Sequence, residues 1–390
     1  MPAEKAHMTP DSTPIQSQLT TWLLRRTAMA GVRRVASLSA AIACEVGNVR
    51  QENQDRAVIA RGSDAKGRSY AVVAVADGIG GMRDGANCAA IAIATFLAEV
   101  DRQAQQGVDH AAHWIRSAVD AANRAVFTKY RGDGGSTLVA LLLSPGQSTV
   151  WLSVGDSRVY HASGLNLRQV SVDDTIAGAL GKGADAASEQ TTLIQFIGIG
   201  EDLEPHIGEL DGQPGDAAVL TTDGVHFLAS WPECMGHIIG NAPEPGICVK
   251  RLVDLANWCG GPDNATAAMI ALPGTPSSGD RPPYRCLEVW DAFGELQIVG
   301  SEPVRYRVND RDESPTPKVS TATSSVRRDA EVAPDEDPNP ARSRGKTTKT
   351  RRSRSGRKAK DSAAVKDQSA AESPDSEVPQ LHMEFPTKAS

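Results

Sequence analysis

The chain has 390 residues, of which 40% are hydrophobic and 23% charged, and its formal net charge at pH 7 is −7. This length is enough for one large domain with accessory segments or for two ordinary domains. No apolar run reaches the roughly eighteen residues that a membrane-spanning helix needs, so we expect no membrane span. Residues 1–38 lack the basic start and apolar stretch of a signal peptide, and are expected to be a leader, mostly disordered or forming one short helix.

The six cysteines are scattered and include no C-x-x-C pair; they stand at positions 44, 88, 234, 248, 259 and 286. This spacing is typical neither of a zinc site nor of a disulfide framework in a chain of this length. Most of them lie in apolar sequence, where a free cysteine behaves as a small hydrophobic residue. We therefore expect a reduced protein of the cytoplasm.

Three predicted strands and two predicted helices follow the leader. Residues 40–46, 55–60 and 69–76 are predicted strands because they are short, rich in Val, Ile and Ala, and bounded by Gly, Asn and Asp. From residue 86 the sequence is apolar almost all round, which predicts a buried helix. Residues 109–130 place apolar side chains three and four positions apart, which predicts a second helix with one buried face.

The next predicted strands are joined by short turns. Residues 136–143, 148–155 and 158–162 are close together in the sequence, and turns too short for a helical crossover require antiparallel pairing. Residues 217–222 and 265–272 complete the strand set, with an amphipathic helix between them. Antiparallel strands interleaved with a few helices predict an α+β layered sandwich rather than a doubly wound parallel sheet.

The composition changes beyond Pro273. Residues 274–309 are expected to form a short appendage, in which 284–308 could supply two or three strands. Residues 310–390 are expected to be disordered, because Ser, Thr, Pro and charged residues leave too little apolar surface to offset chain entropy. Within this tail, residues 341–360 carry ten Lys or Arg and no acid. This basic cluster could bind nucleic acid or an acidic partner, or could be a solvated spacer.

Four aspartates lie at the edges of apolar strands, next to Gly, Asn or Ser: Asp77, Asp156, Asp223 and Asp263. Any one of them could be a turn, because Asp-Gly is a common turn dipeptide. Folding would bring several of these like charges to one rim, which carboxylates tolerate when a cation compensates them, and hard oxygen ligands suit Mg²⁺ or Mn²⁺. A phosphate loop is the competing interpretation of residues 77–85, but these lack the G-K-S/T ending and the G-x-G-x-x-G spacing.

Six short motifs follow one another along the chain. They are R-x-x-N-Q-D at 50–55, A-D-G-I-G-G at 76–81, G-G-S-T-L-V-A at 134–140, V-G-D-S-R at 154–158, T-D-G-V at 222–225 and D-N-A-T at 263–266. In this order, over about residues 40–272, the chain resembles the metal-dependent protein phosphatases, the type 2C-like serine/threonine phosphatases, in their bacterial form. The resemblance implies a domain at 39–273 built as a four-layer αββα sandwich, with two mostly antiparallel β-sheets flanked by helices.

The resemblance also implies the reaction and the metal ligands. Phosphoserine and phosphothreonine would be hydrolysed by attack of a water that bridges two Mn²⁺ or Mg²⁺ ions. Asp77 would bridge the two ions, the backbone carbonyl of Gly78 would ligate one of them, and Asp223 and Asp263 would complete the first. Asp156, together with Asp223, would hold a weaker third ion.

Two further residues have implied roles, and two positions depart from the family pattern. Asp55 would orient metal-bound waters, and Arg50 would bind the substrate phosphate with its guanidinium fork. Gln54 stands where the family often has Glu, which removes one charge beside the second ion. Ile79 stands where many eukaryotic members have a histidine, so the leaving-group proton must come from water or another donor. The family's flap corresponds to residues 163–212.

Phosphorylated proteins are the implied partners, among them a cognate serine/threonine kinase and its substrates. We further expect a monomer that does not bind membranes. Two other functions stay open. A pseudophosphatase would use the same fold to hold phosphorylated partners, but its usual sign is loss of the metal aspartates, and all of them are present here. The chain could also be a nucleic-acid binder through its basic tail.

Overall fold

Two antiparallel β-sheets lie face to face in the part of the chain that the computed structural model describes, which is residues 13–107, 110–144, 146–180, 192–227, 232–272 and 284–303. The strands are, in chain order, β1 (Ala30–Val35), β2 (Ala40–Glu45), β3 (Arg56–Ser63), β4 (Ser69–Ala76), β5 (Leu138–Leu143), β6 (Thr149–Val154), β7 (Arg158–Ser163), β8 (Asn166–Gln169), β9 (His206–Leu210), β10 (Ala217–Thr221), β11 (Ala265–Ala271), β12 (Tyr284–Trp290) and β13 (Glu295–Pro303). The helices are α1 (Pro14–Leu23), α2 (Gly85–Gln105), α3 (Ala111–Tyr130), α4 (Ile176–Leu180), α5 (Asp223–His226), α6 (Pro232–Gly240) and α7 (Pro245–Trp258).

Hydrogen bonding arranges the described strands into a six-stranded sheet, β1-β2-β11-β10-β7-β8, and a seven-stranded sheet, β13-β12-β3-β4-β5-β6-β9. Neighbouring strands are antiparallel throughout both sheets. The layer between the sheets is filled by aliphatic side chains from both, such as Ile59 and Val73 from one and Leu220 and Ile270 from the other. Helices α1, α2 and α3 cover the outer face of the seven-stranded sheet, and α6 and α7 cover that of the six-stranded sheet. The predicted αββα sandwich of α+β class is confirmed.

Strand β4 explains why the sequence before Asp77 is apolar at every position. All eight of its residues are buried. Val72 and Ala74 pack under the helices, whereas Val73 and Val75 pack against the second sheet. Because successive side chains of a strand point to opposite faces, a strand buried on both faces has no polar alternation. This central position makes the C-terminal end of β4 a rigid support for the residues that follow.

The fold extends beyond both ends of the predicted phosphatase domain. Helix α1 begins at Pro14, capped by the Thr13 hydroxyl, and buries Leu19 and Leu23 against α2. Strand β12 pairs with β3, so β12 and β13 are continuous with the seven-stranded sheet. The domain boundaries themselves stay a prediction.

Several predicted segments lie outside the described residues. They are the first twelve residues of the leader, part of the flap at 181–191, and the tail at 310–390 with its basic cluster at 341–360. Among the helices that are described, none is both long and apolar enough to cross a membrane.

Candidate functional site

The predicted site residues come from the ends of strands in both sheets. Asp55 precedes β3 by one residue, Asp77 directly follows β4, and Asp156 lies in the turn between β6 and β7. From the six-stranded sheet, Asp223 begins α5 just after β10, and Asp263 precedes β11. The two sheets therefore deliver their carboxylates to one edge of the sandwich.

The electrostatics of Asp77 show that these carboxylates are gathered together. The pKa of Asp77 is raised well above its usual value, first by burial and then by the negative charges of Asp55, Asp223, Asp156 and Asp263. Burial and the charge of Asp263 raise the pKa of Asp223, while a hydrogen bond with Asp77 opposes the rise. A cluster of this kind cannot be fully ionised at neutral pH unless a cation compensates it.

Two members of the cluster have pKa values near neutrality. The pKa of Asp55 is raised to about 7, first by burial and then by Asp223 and Asp263, although the Thr222 hydroxyl donates a 2.9 Å hydrogen bond to its Oδ2. The pKa of Asp156 is also raised to about 7, by burial and by the charges of Asp223 and Asp173. Both side chains therefore hold protons in the metal-free fold at pH values where exposed aspartates are ionised.

We expect Asp156→Asn to change how stability depends on pH in the metal-free protein. The folded-state pKa of about 7 lies above the ordinary 3.8, so ionising Asp156 destabilises the fold as pH rises through 7, and this penalty disappears as pH falls towards 4. In EDTA the variant should melt at least about 2 °C above the wild type at pH 8, and the two melting temperatures should converge near pH 4. A gap of the same size at both pH values, measured by scanning fluorimetry, would contradict the burial of this charge.

The backbone of Asp77 is fixed by the next strand. The Asp77 amide donates to the Thr137 hydroxyl at 2.9 Å, and the Asp77 carbonyl accepts from the Ser136 hydroxyl and the Thr137 amide, both at 2.8 Å. Ser136 also exchanges two backbone hydrogen bonds with Ile197, which lies within the flap segment 163–212. The G-G-S-T motif, for which no role was predicted, thus holds the central aspartate in place.

Gly78 is required by close backbone packing. A Cβ at this position would collide with the backbone carbonyl group of Gly85, the first residue of α2. The missing side chain therefore lets α2 begin directly against the end of β4. By contrast, a Cβ at Gly81 in the same motif would meet no atom within 4 Å.

Asn264 fastens the loop that carries Arg50 and Asp55 to the second sheet. Its side-chain amide donates to the carbonyls of Val46 and Glu52 at 2.8 and 2.9 Å, and its Oδ1 accepts from the Gln54 amide at 2.8 Å. Sequence reasoning assigned no role to Asn264, although its place beside Asp263 in the D-N-A-T motif was a usable signal.

Arg50 lies at the rim of the cluster. Its side chain is 45% exposed, and Nη2 pairs with Asp263 Oδ2 at 2.6 Å. The hydrogen bond to Asp263 raises the pKa of Arg50, as do the charges of Asp223 and Asp77. The predicted phosphate ligand therefore contacts a predicted metal ligand directly.

The turn that carries Asp156 is held from both sides. Arg158 makes a bidentate ion pair with Asp173, with Nη2 and Oδ2 2.6 Å apart. Asp174 accepts from the Gly155 amide at 2.9 Å and pairs with Nε2 of His206 at 2.8 Å. Asp173 and Asp174, both in the flap segment, thus hold the turn that carries Asp156.

The donor set fits a hard divalent cation. Among the described residues, no group of three or more His, Cys, Asp or Glu side chains is gathered tightly enough to hold a metal ion as it stands. However, two buried carboxylate oxygens, Asp55 Oδ1 and Asp223 Oδ1, have no hydrogen-bond partner among the described residues. Buried carboxylate oxygens of this kind need a partner, and oxygen ligands with excess negative charge suit Mg²⁺ or Mn²⁺.

Comparison with known sequences assigns the family. The profile described as "Protein phosphatase 2C" matches residues 48–240. Protein phosphatase PhpP of Streptococcus pneumoniae is 27% identical over 241 residues, which cover 58% of this chain and 95% of that protein. Serine/threonine protein phosphatase PstP of Mycobacterium tuberculosis is 30% identical over 227 residues, which cover 55% of this chain and 43% of that protein.

Solved structures agree with this assignment. The PPM Ser-Thr phosphatase MsPP of Mycobacterium smegmatis, solved with cacodylate, is 30% identical with a TM-score of 0.50, covering 60% of this chain and 98% of that one. The catalytic domain of PstP, solved with two manganese ions, is 28% identical with a TM-score of 0.50, covering 62% and 98%. From its motifs, its fold and these relatives, the chain belongs to the protein phosphatase 2C family, the PPM serine/threonine phosphatases.

Proposed function

We propose that this protein hydrolyses phosphoserine and phosphothreonine in other proteins, using two Mn²⁺ or Mg²⁺ ions and a weaker third ion held by the strand-end carboxylates. The observation that carries this proposal is the buried cluster in which four aspartates raise the pKa of Asp77. A protein would not maintain such repulsion for stability alone, because uncompensated buried charges are costly. The two manganese ions in the PstP catalytic domain support the same interpretation.

The chain's own residues divide into ion ligands and groups that act on the substrate. Asp77, the Gly78 carbonyl, Asp223 and Asp263 would hold the two ions, and Asp156 with Asp223 the third. When bound, such ions activate a water for attack on phosphorus and neutralise the phosphate charge. Thr222 occupies Oδ2 of Asp55, which leaves the unpartnered Oδ1 to accept from a water beside the ligands.

Arg50 would bind the phosphate. If Asp263 bound an ion, the Arg50 guanidinium would lose its present partner, and its fork would be available to two phosphate oxygens. Ile79 offers no proton to the leaving group, so that proton comes from water or another donor.

We expect Arg50→Ala to raise KM for a phosphothreonine peptide by about ten-fold or more, because a charge-assisted bidentate contact is lost. Arg50→Lys should recover only part of the loss, since an ammonium cannot make the paired contact. Steady-state kinetics in saturating Mn²⁺ measure both. An unchanged KM in Arg50→Ala would show that Arg50 does not hold the phosphate.

The partners we infer are phosphorylated proteins, among them a serine/threonine kinase and its substrates. We infer a cytoplasmic location because all six cysteines are free thiols, as expected in a reducing compartment.

Phosphate release from three peptides of one sequence tests the function. The peptides carry phosphoserine, phosphothreonine or phosphotyrosine, and the 390-residue protein is assayed with Mn²⁺. We expect release from the first two, with much less from the third. Tight binding of the phosphopeptides without any release would instead indicate a phosphopeptide-binding module.

A further inference from the structure

An exposed tryptophan, Trp258, lies in a segment that is hydrogen-bonded to the loop carrying Arg50. Trp258 ends α7 and is 88% exposed, more than any other large hydrophobic side chain among the described residues. Val49, the residue before Arg50, is 68% exposed. Tryptophan is normally buried over most of its surface, and exposed aromatic residues are enriched at the centres of binding interfaces.

Hydrogen bonds tie the segments of Val49 and Trp258 together. The Asn48 side-chain amide donates to the carbonyls of Asn257 and Gly260, at 2.8 and 3.2 Å, and the Asn48 backbone amide donates to the Gly261 carbonyl at 2.8 Å. The chain segments next to Val49 and Trp258 are therefore held together, and Val49 directly precedes the proposed phosphate ligand Arg50.

Glycines make this close approach possible. Gly47 has φ +85°, and a Cβ there would run into the carbonyl of Asp263. Gly261 has φ +52°, and a Cβ there would meet Asn257 and Asn48. The left-handed backbone at both positions favours glycine, and the missing side chains allow the loop of Gly47 to pack closely against that of Gly261.

We propose that Val49 and Trp258 form a shelf that binds an apolar side chain flanking the phosphorylated residue of the protein substrate. The proposal rests on the function proposed above and adds a substrate preference to it. With the phosphate on Arg50, the flanking residues of an extended peptide would lie about 3.5 Å further along per residue, beside the segment that begins with Val49. Burying an aliphatic or aromatic side chain against the indole would remove apolar surface from water on both partners.

Matched phosphothreonine peptides test the shelf. The peptides share one sequence and carry either Leu or Ser on both sides of the phosphothreonine. The wild type should favour the Leu peptide by about five-fold or more in kcat/KM, mainly through KM. Trp258→Ala should lose this preference while hydrolysing the Ser peptide and p-nitrophenyl phosphate as the wild type does. Trp258→Phe should keep most of the preference, because the aromatic surface is largely retained.

Leu165→Ala is the matched control, because Leu165 is 54% exposed but lies in the turn between β7 and β8. It should keep the wild-type preference. An unchanged preference in Trp258→Ala would overturn the shelf and leave the phosphatase assignment standing. A change of oligomeric state in Trp258→Ala without loss of preference would overturn it too, by making Trp258 a self-contact. No hydrolysis of any substrate by the wild type would overturn the proposed function, and the shelf with it.

Discussion

Asp223→Asn is expected to abolish most of the stabilisation by Mn²⁺ and to lower phosphate release by orders of magnitude. Asp223 contacts the cluster from the six-stranded sheet, and its Oδ1 is buried without a hydrogen-bond partner among the described residues. The asparagine keeps the shape and one oxygen but removes the charge that attracts a hard cation. In the wild type, Mn²⁺ at about one hundred times its Kd should stabilise the fold by about 2.7 kcal/mol.

Without metal, Asp223→Asn should be more stable than the wild type. The charge of Asp263 raises the pKa of Asp223, so neutralising Asp223 relieves repulsion and should raise the Tm in EDTA. Thermal melts with and without Mn²⁺, beside a p-nitrophenyl phosphate assay, measure both effects. Asp211→Asn, at an exposed position after β9, is the control and should behave as the wild type. An Asp223→Asn protein with wild-type turnover and the same Mn²⁺-induced shift would refute the metal assignment.

Gly78→Ala is expected to destabilise the fold by about 2 kcal/mol or more and to remove most of the activity. The added methyl would meet the backbone of Gly85, which cannot move aside as a flexible side chain could. Either the start of α2 or the Asp77–Gly78 backbone must shift, and overpacking of this kind costs about 1–3 kcal/mol. Ser136 and Thr137 hold the Asp77 backbone in place, so a shift at Gly78 would strain the candidate site.

Gly81→Ala supplies the control within the same motif, since nothing lies within 4 Å of a Cβ there. Thermal melts in EDTA should show a Tm at least about 4 °C lower for Gly78→Ala and little change for Gly81→Ala. Equal melting temperatures for Gly78→Ala and the wild type would mean that α2 does not begin in contact with Gly78.

The sequence allowed the layered fold to be predicted because the strands are strongly apolar and their turns are short. β4 and β5 pack on both faces, so their composition alone marks them as central strands. Strands β1, β8 and β9 were not predicted, and β1 lies within residues 1–38, where a mostly disordered leader or a short helix was expected. These strands are four to six residues long and consist mainly of exposed or half-buried residues, so no hydrophobic pattern distinguishes them from loops. The order of the strands depends on long-range pairing, which local patterns do not encode.

The carboxylates of the candidate site were predicted, whereas the polar residues that hold them in place were not. Aspartates that recur after apolar strands give a local signal, whereas Asn264 acts through partners more than 200 positions away in the sequence. Thr222 likewise reaches Asp55 across the two sheets. Polar residues of this kind resemble ordinary turn residues until the fold brings their partners within hydrogen-bond distance.

Calorimetry can count the Mn²⁺ ions that the strand-end carboxylates bind. The 390-residue wild type is stripped with EDTA, dialysed and titrated with Mn²⁺, and Asp77→Asn is treated in the same way. If the strand-end carboxylates share their ions through Asp77, the wild type should bind two ions tightly, with any third binding weakly, and Asp77→Asn should lose the tight sites. Equal binding by both proteins, or no tight binding by the wild type, would contradict the assignment of this cluster as the metal centre.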